Sequence, residues 1–401
     1  MREEGVKVLF LSPWYPDPAD NGSKLRINHL VKALSEKHEV GLLALTDRDN
    51  DPPLGELGTI VERVIKCPRQ DFNHNNSSSI LAVFSPLPRS VSQFYDPLVA
   101  MTIEKELLHG QYDLIIASQW QMAAYWRSFL GYPSIYEELE LGVYRSKIRL
   151  SKSWAARWRH KLTLWKLRYY LKRILPTFRA CTVVSEVEKD LLEDLLPGYS
   201  SVKVVPNGVS IPVGLEGIPS YESKSIIFCG SLTYFANYDA VIWFLEDVYP
   251  RICETIPGVQ LTITGDHANL PLPEGKNVRK TGLVENLAPY IHSSQISIAP
   301  IRIGGGTRLK ILEAMAHSTP VVATGKGAEG LGAKDGKHLL IADTAQGFAD
   351  CVVRLLDDID LYTYIQKEAL SFVRSRYDWK NILPEFLEII ENLNIQHAPR
   401  M

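Results

Sequence analysis

ISIAPIRIGGGTRLKILEAMAHSTPVVAT, residues 296–324, is the stretch that decides how this chain folds. Its opening is apolar and β-rich through Ala299, the pattern of a strand buried in a parallel sheet. Three consecutive glycines follow, Gly304, Gly305 and Gly306, and a helix is expected to open near Thr307 and run over 309–316. Residues 320–323 then form another strand. Strand, glycine loop, helix, strand is the repeating unit of a doubly wound α/β sheet.

The same stretch suggests chemistry. Glycines let a ligand approach the backbone, and the first N–H groups of a helix attract anions. Arg308 and Lys310 place two full positive charges where the helix dipole prefers acids. A bound diphosphate resolves that conflict. Glu313, five residues beyond Arg308, would address a neighbouring part of the ligand, and a carboxylate that accepts two hydrogen bonds from a vicinal diol suits a ribose. The plainer alternative is a tight connection flanked by a surface Arg and Lys. Three glycines, two cations and an inward acid are more than a turn requires. The loop is not a Walker loop, because no G-x4-G-K-[ST] is present.

Outward from this element the alternation recurs. Residues 6–11 form a strand ended by Ser12-Pro13-Trp14-Tyr15-Pro16; Leu25, Leu30, Val31 and Leu34 then recur at helical spacing, and 38–45 is the next strand. Strands are expected at 113–117, 133–136, 180–184 and 202–205, with a helix after Ser185 whose Ser-x-x-Glu spacing to Glu188 is that of a capping box. Residues 209–224 are rich in Pro, Gly and Glu without periodicity and mark a linker. Beyond it come strands at 225–229, 260–264 and 295–299 and helices at 239–246, 345–357, 360–375 and 379–393. The fold class is therefore α/β, two Rossmann-like doubly wound domains facing across a cleft: 1–208, and 209–377, with a helix from 378–401 packing back on the first.

Composition agrees. A chain of 401 residues, 45% hydrophobic and 22% charged, fits two domains with proper cores. The formal charge of −2 excludes a global polyelectrolyte partner, so basic character must be local. Cys67, Cys181, Cys229, Cys253 and Cys351 show no metal-ligand spacing and suit a reducing compartment. No secretory h-region opens the chain and no apolar run approaches the roughly 18 residues of a membrane span, so a cytoplasmic location is expected.

At these residues the sequence resembles the retaining glycosyltransferases of the GT-B fold, in particular family 4, and within it a cell-surface polysaccharide sugar transferase subgroup carrying GGGTRLKILEAMA. The resemblance extends through PWYPDPADNGSKLRINHLVKAL, VVSEVEKDLL, VVPNGV, FCGSLTYFANYDAVIWF, LTITGD and GAEGLGAKDGKHLLIAD. It implies a nucleotide-diphosphate sugar as donor and a glycan or lipid-linked acceptor, with no cofactor and no metal. It also implies roles. Arg308 and Lys310 would neutralise the leaving diphosphate. Asn21 and Gly22 after the first strand, Gly230 and Ser231 after the first strand of the second domain, and the loop Gly304, Gly305, Gly306, Thr307 would lie near the phosphates. Glu313 would bind ribose, and Thr264 and Gly265 would wall the nucleotide pocket. The sequence departs from the family pattern where Gly305 replaces the first acid of Glu-x7-Glu, where SLTYFAN lacks the usual Arg and Lys, and where Ser118-Gln119-Trp120 replaces a histidine.

Two further features stand out. Residues 141–179 hold 12 Lys or Arg and no acid, interleaved with Trp154, Trp158, Trp165, Tyr169 and Tyr170. Trp158, Leu162, Trp165 and Tyr169 recur on one helix face. Such a segment, 145–179, either contacts an anionic membrane surface at the inner face or packs its stripe on the core. No nucleic-acid motif accompanies it. Glu137 and Glu138, after a strand end, are candidates for positioning an acceptor hydroxyl. Rival functions are a nucleotide-sugar epimerase of the same fold and a non-catalytic sugar-nucleotide-binding subunit.

Overall fold

The computed structural model describes residues 5–47, 53–68, 88, 95–150, 153–212, 221–304, 308–393 and 395. Two compact units emerge. The first comprises 1–206 with 383–401, the second 207–382.

In the first unit seven described strands lie parallel in the order β3-β2-β1-β4-β5-β6-β7. They are β1 (Lys7–Ser12), β2 (Glu39–Thr46), β3 (Arg63–Pro68), β4 (Leu114–Ser118), β5 (Ser134–Glu137), β6 (Ala180–Val183) and β7 (Val202–Val204). The second unit orders six as β10-β9-β8-β11-β12-β13, again all parallel: β8 (Glu222–Cys229), β9 (Gln260–Thr264), β10 (Val278–Gly282), β11 (Ser294–Ala299), β12 (Val321–Ala323) and β13 (Leu340–Ile341). Strand order reverses between β1 and β4 in one sheet and between β8 and β11 in the other. Ligands of open α/β sheets bind at the carboxyl ends of strands flanking such a reversal.

The apolar runs follow from two-sided burial. In β8, Ile226 and Phe228 enter a cluster with the Phe235–Trp243 and Ala345–Asp357 helices, while Ile227 and Cys229 face the Leu309–Ala316 and Ile359–Arg376 helices. Helices cover both faces, so alternation vanishes and near-continuous hydrophobicity remains.

Three expectations are corrected. The linker over 209–224 is only partly one: Val209 is buried, its N–H donates to the Tyr377 carbonyl (2.8 Å) and its carbonyl accepts from Trp379 (3.3 Å), while β8 already begins at Glu222. The helix at 239–246 belongs to a longer helical run from Phe235 to Thr255 that widens into a π turn at Phe244–Val248. Pro250 lacks the N–H that an α-turn there would use. The Ser185 cap is as expected, its hydroxyl accepting from the Glu188 N–H (3.2 Å), and the Glu188 carboxylate also accepts from the N–H groups of Leu141 (2.6 Å) and Gly142 (3.0 Å), which ties helix 186–195 to the loop after β5. The aromatic stripe of the Trp154–Ile174 helix does not pack on the core; Leu167, Tyr170, Leu171 and Ile174 do so instead.

Arg26 and Glu137 hold the first unit together at the carboxyl end of its sheet. Both are fully buried, 2.6 Å apart; Glu137 also accepts from Ser118 Oγ (2.6 Å), and Arg26 donates to the carbonyls of Val205 (2.9 Å) and Pro206 (3.0 Å). Removing one member of a buried pair strands the other's charge. Glu137→Ala is expected to lower unfolding free energy by about 3 kcal/mol in urea denaturation while diphosphate binding by the refolded protein persists.

Candidate functional site

The reversal of strand order between β8 and β11 draws the second unit's candidate residues together. Lys310 lies in the first turn of the Leu309–Ala316 helix, whose N-cap is Arg308 and whose first turn has no acid. Its Nζ donates to Asn237 Oδ1 (2.8 Å) and sits 4.3 Å from the centre of the Phe228 ring at the end of β8. Asn237 Nδ2 in turn donates to the carbonyl of Ser231 (2.7 Å), which fixes the amide with its oxygen toward the ammonium. Burial pushes Lys310 down to about 7, and the neighbouring Arg308 charge adds to the shift. Burial raises the Glu313 carboxyl, with Lys310 acting in the opposite direction.

The backbone around these groups leaves no room for a larger residue. Gly230 has φ +142°, and a methyl built on it would lie 2.8 Å from Asn237 Nδ2 and 2.9 Å from Lys310 Nζ. Gly265, φ +117°, abuts the backbone of Gly230 and Ser231 at under 3 Å by the same construction. Both conformations disfavour any side chain. A methyl built on Gly304 would lie 3.0 Å from Tyr234 Oη and 3.7 Å from Arg308 Nη1, so the loop leaving β11 runs beside the guanidinium. Arg308 is buried.

Of the sequence-predicted residues, Gly230, Ser231, Gly265, Gly304, Arg308, Lys310 and Glu313 thus gather at the carboxyl ends of β8, β9 and β11. Gly305, Gly306 and Thr307 lie outside the described residues. Thr264 is buried and its hydroxyl donates to the Phe228 carbonyl (3.4 Å), so it supports the pocket's backbone and does not line a surface. Asn237 and Phe228 were not among the predicted site residues. Asn237 gave no compositional signal, since Asp239 follows it on the same helix.

In the first unit Gly22 is the first residue of the Gly22–Lys37 helix and not part of a loop; Asn21 caps that helix through Lys24 N–H (3.1 Å). Glu137 is corrected from acceptor candidate to structural residue, since the buried Arg26 pair occupies it. Glu138 stays half-buried and accepts from Gln119 Nε2 (2.6 Å), which lies 3.3 Å from Ser23 Oγ. Gln119 and Glu138, directly after β4 and β5, both have φ +59°. Non-glycine residues held there concentrate at functional sites, and Gln119 was unreadable as such because φ leaves no mark in composition. Among the described residues no His, Cys, Asp or Glu group gathers to hold a metal ion.

Comparison with known proteins follows the division into two units. Residues 20–211 match the Glycosyltransferase Family 4 profile and 223–358 the Glycosyl transferases group 1 profile. The two matches, one on each unit, together span most of the chain and make its halves similar to the two parts of a GT-B glycosyltransferase. Among curated relatives, an uncharacterised 44.6 kDa protein in the cps region of Klebsiella pneumoniae is 30% identical over 39% of this chain and 44% of its own length. A phosphatidyl-myo-inositol mannosyltransferase of Mycobacterium leprae is 30% identical over 47% and 53% respectively. The chain thus spans about half the length of the curated relatives it matches. Among solved structures, sucrose-phosphate synthase from Thermosynechococcus elongatus superposes with TM-score 0.71 at 19% identity, covering 96% of this chain and 99% of that one. Anabaena HepE, solved with UDP and glucose, does so with TM-score 0.65 at 17% identity, covering 96% and 100%. At such identities the likeness is one of fold.

Gly230→Ala tests the packing of the site. The substitution forces apart Gly230, Asn237 and Lys310, and calorimetry is expected to show nucleoside-diphosphate affinity reduced by at least about tenfold, whereas Gly258→Ala, which imposes comparable backbone strain (φ +88°) at the amino end of β9 away from the site, leaves affinity unchanged.

Proposed function

We propose that this chain transfers a sugar from a nucleotide-diphosphate donor to a glycan or lipid-linked acceptor, with retention at the anomeric carbon, in polysaccharide or glycoconjugate biosynthesis. The observation that carries the reading is the Lys310 ammonium, desolvated and oriented by Asn237 at the reversal of strand order, with Arg308 one residue before its helix. Two cations and helix N–H groups there suit a diphosphate.

In the reaction the bond from the anomeric carbon to the phosphate oxygen breaks and a bond to the acceptor oxygen forms on the same face. The acceptor's proton passes to the departing phosphate. Negative charge grows on the diphosphate as it leaves, and Arg308 and Lys310 stabilise it without metal or cofactor. Glu313 holds the ribose hydroxyls. The half-buried Glu138, braced by Gln119, positions the acceptor hydroxyl. A uridine donor is favoured by HepE, solved with UDP and with UDP-glucose. The cps-region and mannosyltransferase relatives favour a cell-surface glycan or lipid acceptor, with the protein working at the cytoplasmic face of a membrane.

Lys310→Ala is expected to lower transfer from a UDP-sugar by about a hundredfold, roughly 3 kcal/mol of transition-state stabilisation, with the thermal unfolding midpoint little changed. Near-parental turnover would sink the assignment. Interconversion of free donor without acceptor would indicate an epimerase, and binding without turnover a non-catalytic subunit. Affinity should also depend on pH. Lys310 titrates near 7 in the free protein, and a bound diphosphate favours its charged form. Binding therefore takes up protons, and affinity falls as pH rises from 7 toward 9; calorimetry in buffers of different ionisation enthalpy reads the proton count.

A further inference from the structure

The Trp154–Ile174 helix presents two apolar faces where a helix on a soluble domain needs one. Leu167, Tyr170, Leu171 and Ile174 face the first unit's core. Trp154, Trp158, Leu162, Trp165 and Tyr169 are between 45% and 76% exposed. At about 100° per residue these five fall within roughly 80° of arc, on the side opposite the core-facing residues, along about 22 Å of helix. Arg157, Lys161, Arg168 and Lys172 flank the stripe, and Lys161 lies 5.7 Å from the centre of the Trp158 ring. A groove of about 460 Å³ adjoins its carboxyl end, lined among others by Trp165, Arg168, Tyr169, Lys172, Leu196 and Tyr199.

We infer that this outer face docks the protein on an anionic phospholipid bilayer, with the rings at the headgroup level and a lipid phosphate seated in the groove between Arg168 and Lys172. The inference deepens the membrane placement proposed above and rests on that reading. Charge decides the occupant. Residues 141–179 hold 12 Lys or Arg and no acid, so a second copy laid on the same face would set like charge against like. Indole and phenol rings combine an apolar body with a polar edge, and Lys and Arg extend their charge while their stems lie along apolar surface. A helix with such a face lies in the plane of a membrane interface, held by apolar burial and by attraction to anionic lipid. No described helix is long and apolar enough to cross the bilayer, so contact by this face is peripheral.

The test uses the full chain without substrates. Sedimentation with vesicles of phosphatidylcholine, and with vesicles in which a third of the lipid is phosphatidylglycerol, should show binding only to the latter, reversed by high salt. Bromine on the acyl chains near the headgroup should quench tryptophan emission. Trp158→Glu with Trp165→Glu, and separately Arg168→Glu with Lys172→Glu, should each lower vesicle affinity by at least about tenfold with the circular dichroism spectrum unchanged. Equal binding to both vesicles, binding to neither, or undiminished binding of the variants overturns the inference. So does a concentration-dependent dimer that these variants abolish. Calorimetric UDP binding on the same preparations separates the two readings: its loss in the parent chain removes the donor site, while vesicle failure with intact UDP binding removes the membrane face alone.

Discussion

Taking an ammonium out of water costs several kcal/mol unless its lost hydrogen bonds are replaced, and Lys310 replaces them only in part. Asn237 Oδ1 takes one proton and the Phe228 ring supplies a π face. Burial outweighs the neighbouring attractions, Arg308 repels, and the pKa falls to about 7. A cation in that condition gains strongly from an incoming anion. Positive φ at Gly230 and Gly265, the Asn237 bond to Ser231, and the bare α-carbon of Gly304 beside Arg308 all follow from fitting backbone around it. The sheet supplies the location: β8 and β11 part company in strand order, and their connections diverge to opposite faces.

The first unit meets a comparable difficulty differently. Arg26 and Glu137 are wholly buried, but each charge is matched, by the other and by Ser118, Val205 and Pro206. Matched charges have little left to offer a ligand. The next residue, Glu138, turns away through a positive φ and meets Gln119, also at positive φ, near the start of the Gly22–Lys37 helix. Adjacent acids in one sequence thus divide between holding the fold and facing its functional edge.

Most of the architecture was legible because two-sided burial imposes long apolar runs: 260–264 and 309–316 coincide with β9 and the helix after β11 to the residue. Edge strands were among what escaped, together with the Pro97–Gly110 helix. β3 and β10 end their sheets, pair on one side only and carry Arg63, Lys66, Arg279 and Lys280, so no apolar run announces them. At the site, Arg308 and Lys310 were legible because cations at a helix start oppose its dipole. Asn237 was not, since its significance lies in a partner 73 residues away; Gln119 was legible only as part of a departure from the family pattern, because its backbone angle leaves no mark in composition. Glu137 misled because sequence cannot reveal that Arg26, 111 residues earlier, meets it in the core.

The central claim is that Lys310 awaits a diphosphate at the end of β8. A crystal structure of the chain with UDP tests it most directly. The account predicts phosphate oxygens within hydrogen-bond distance of Lys310 Nζ and the Arg308 guanidinium, with the ribose hydroxyls on Glu313. A diphosphate seated elsewhere, with Lys310 still bonded only to Asn237, would contradict it.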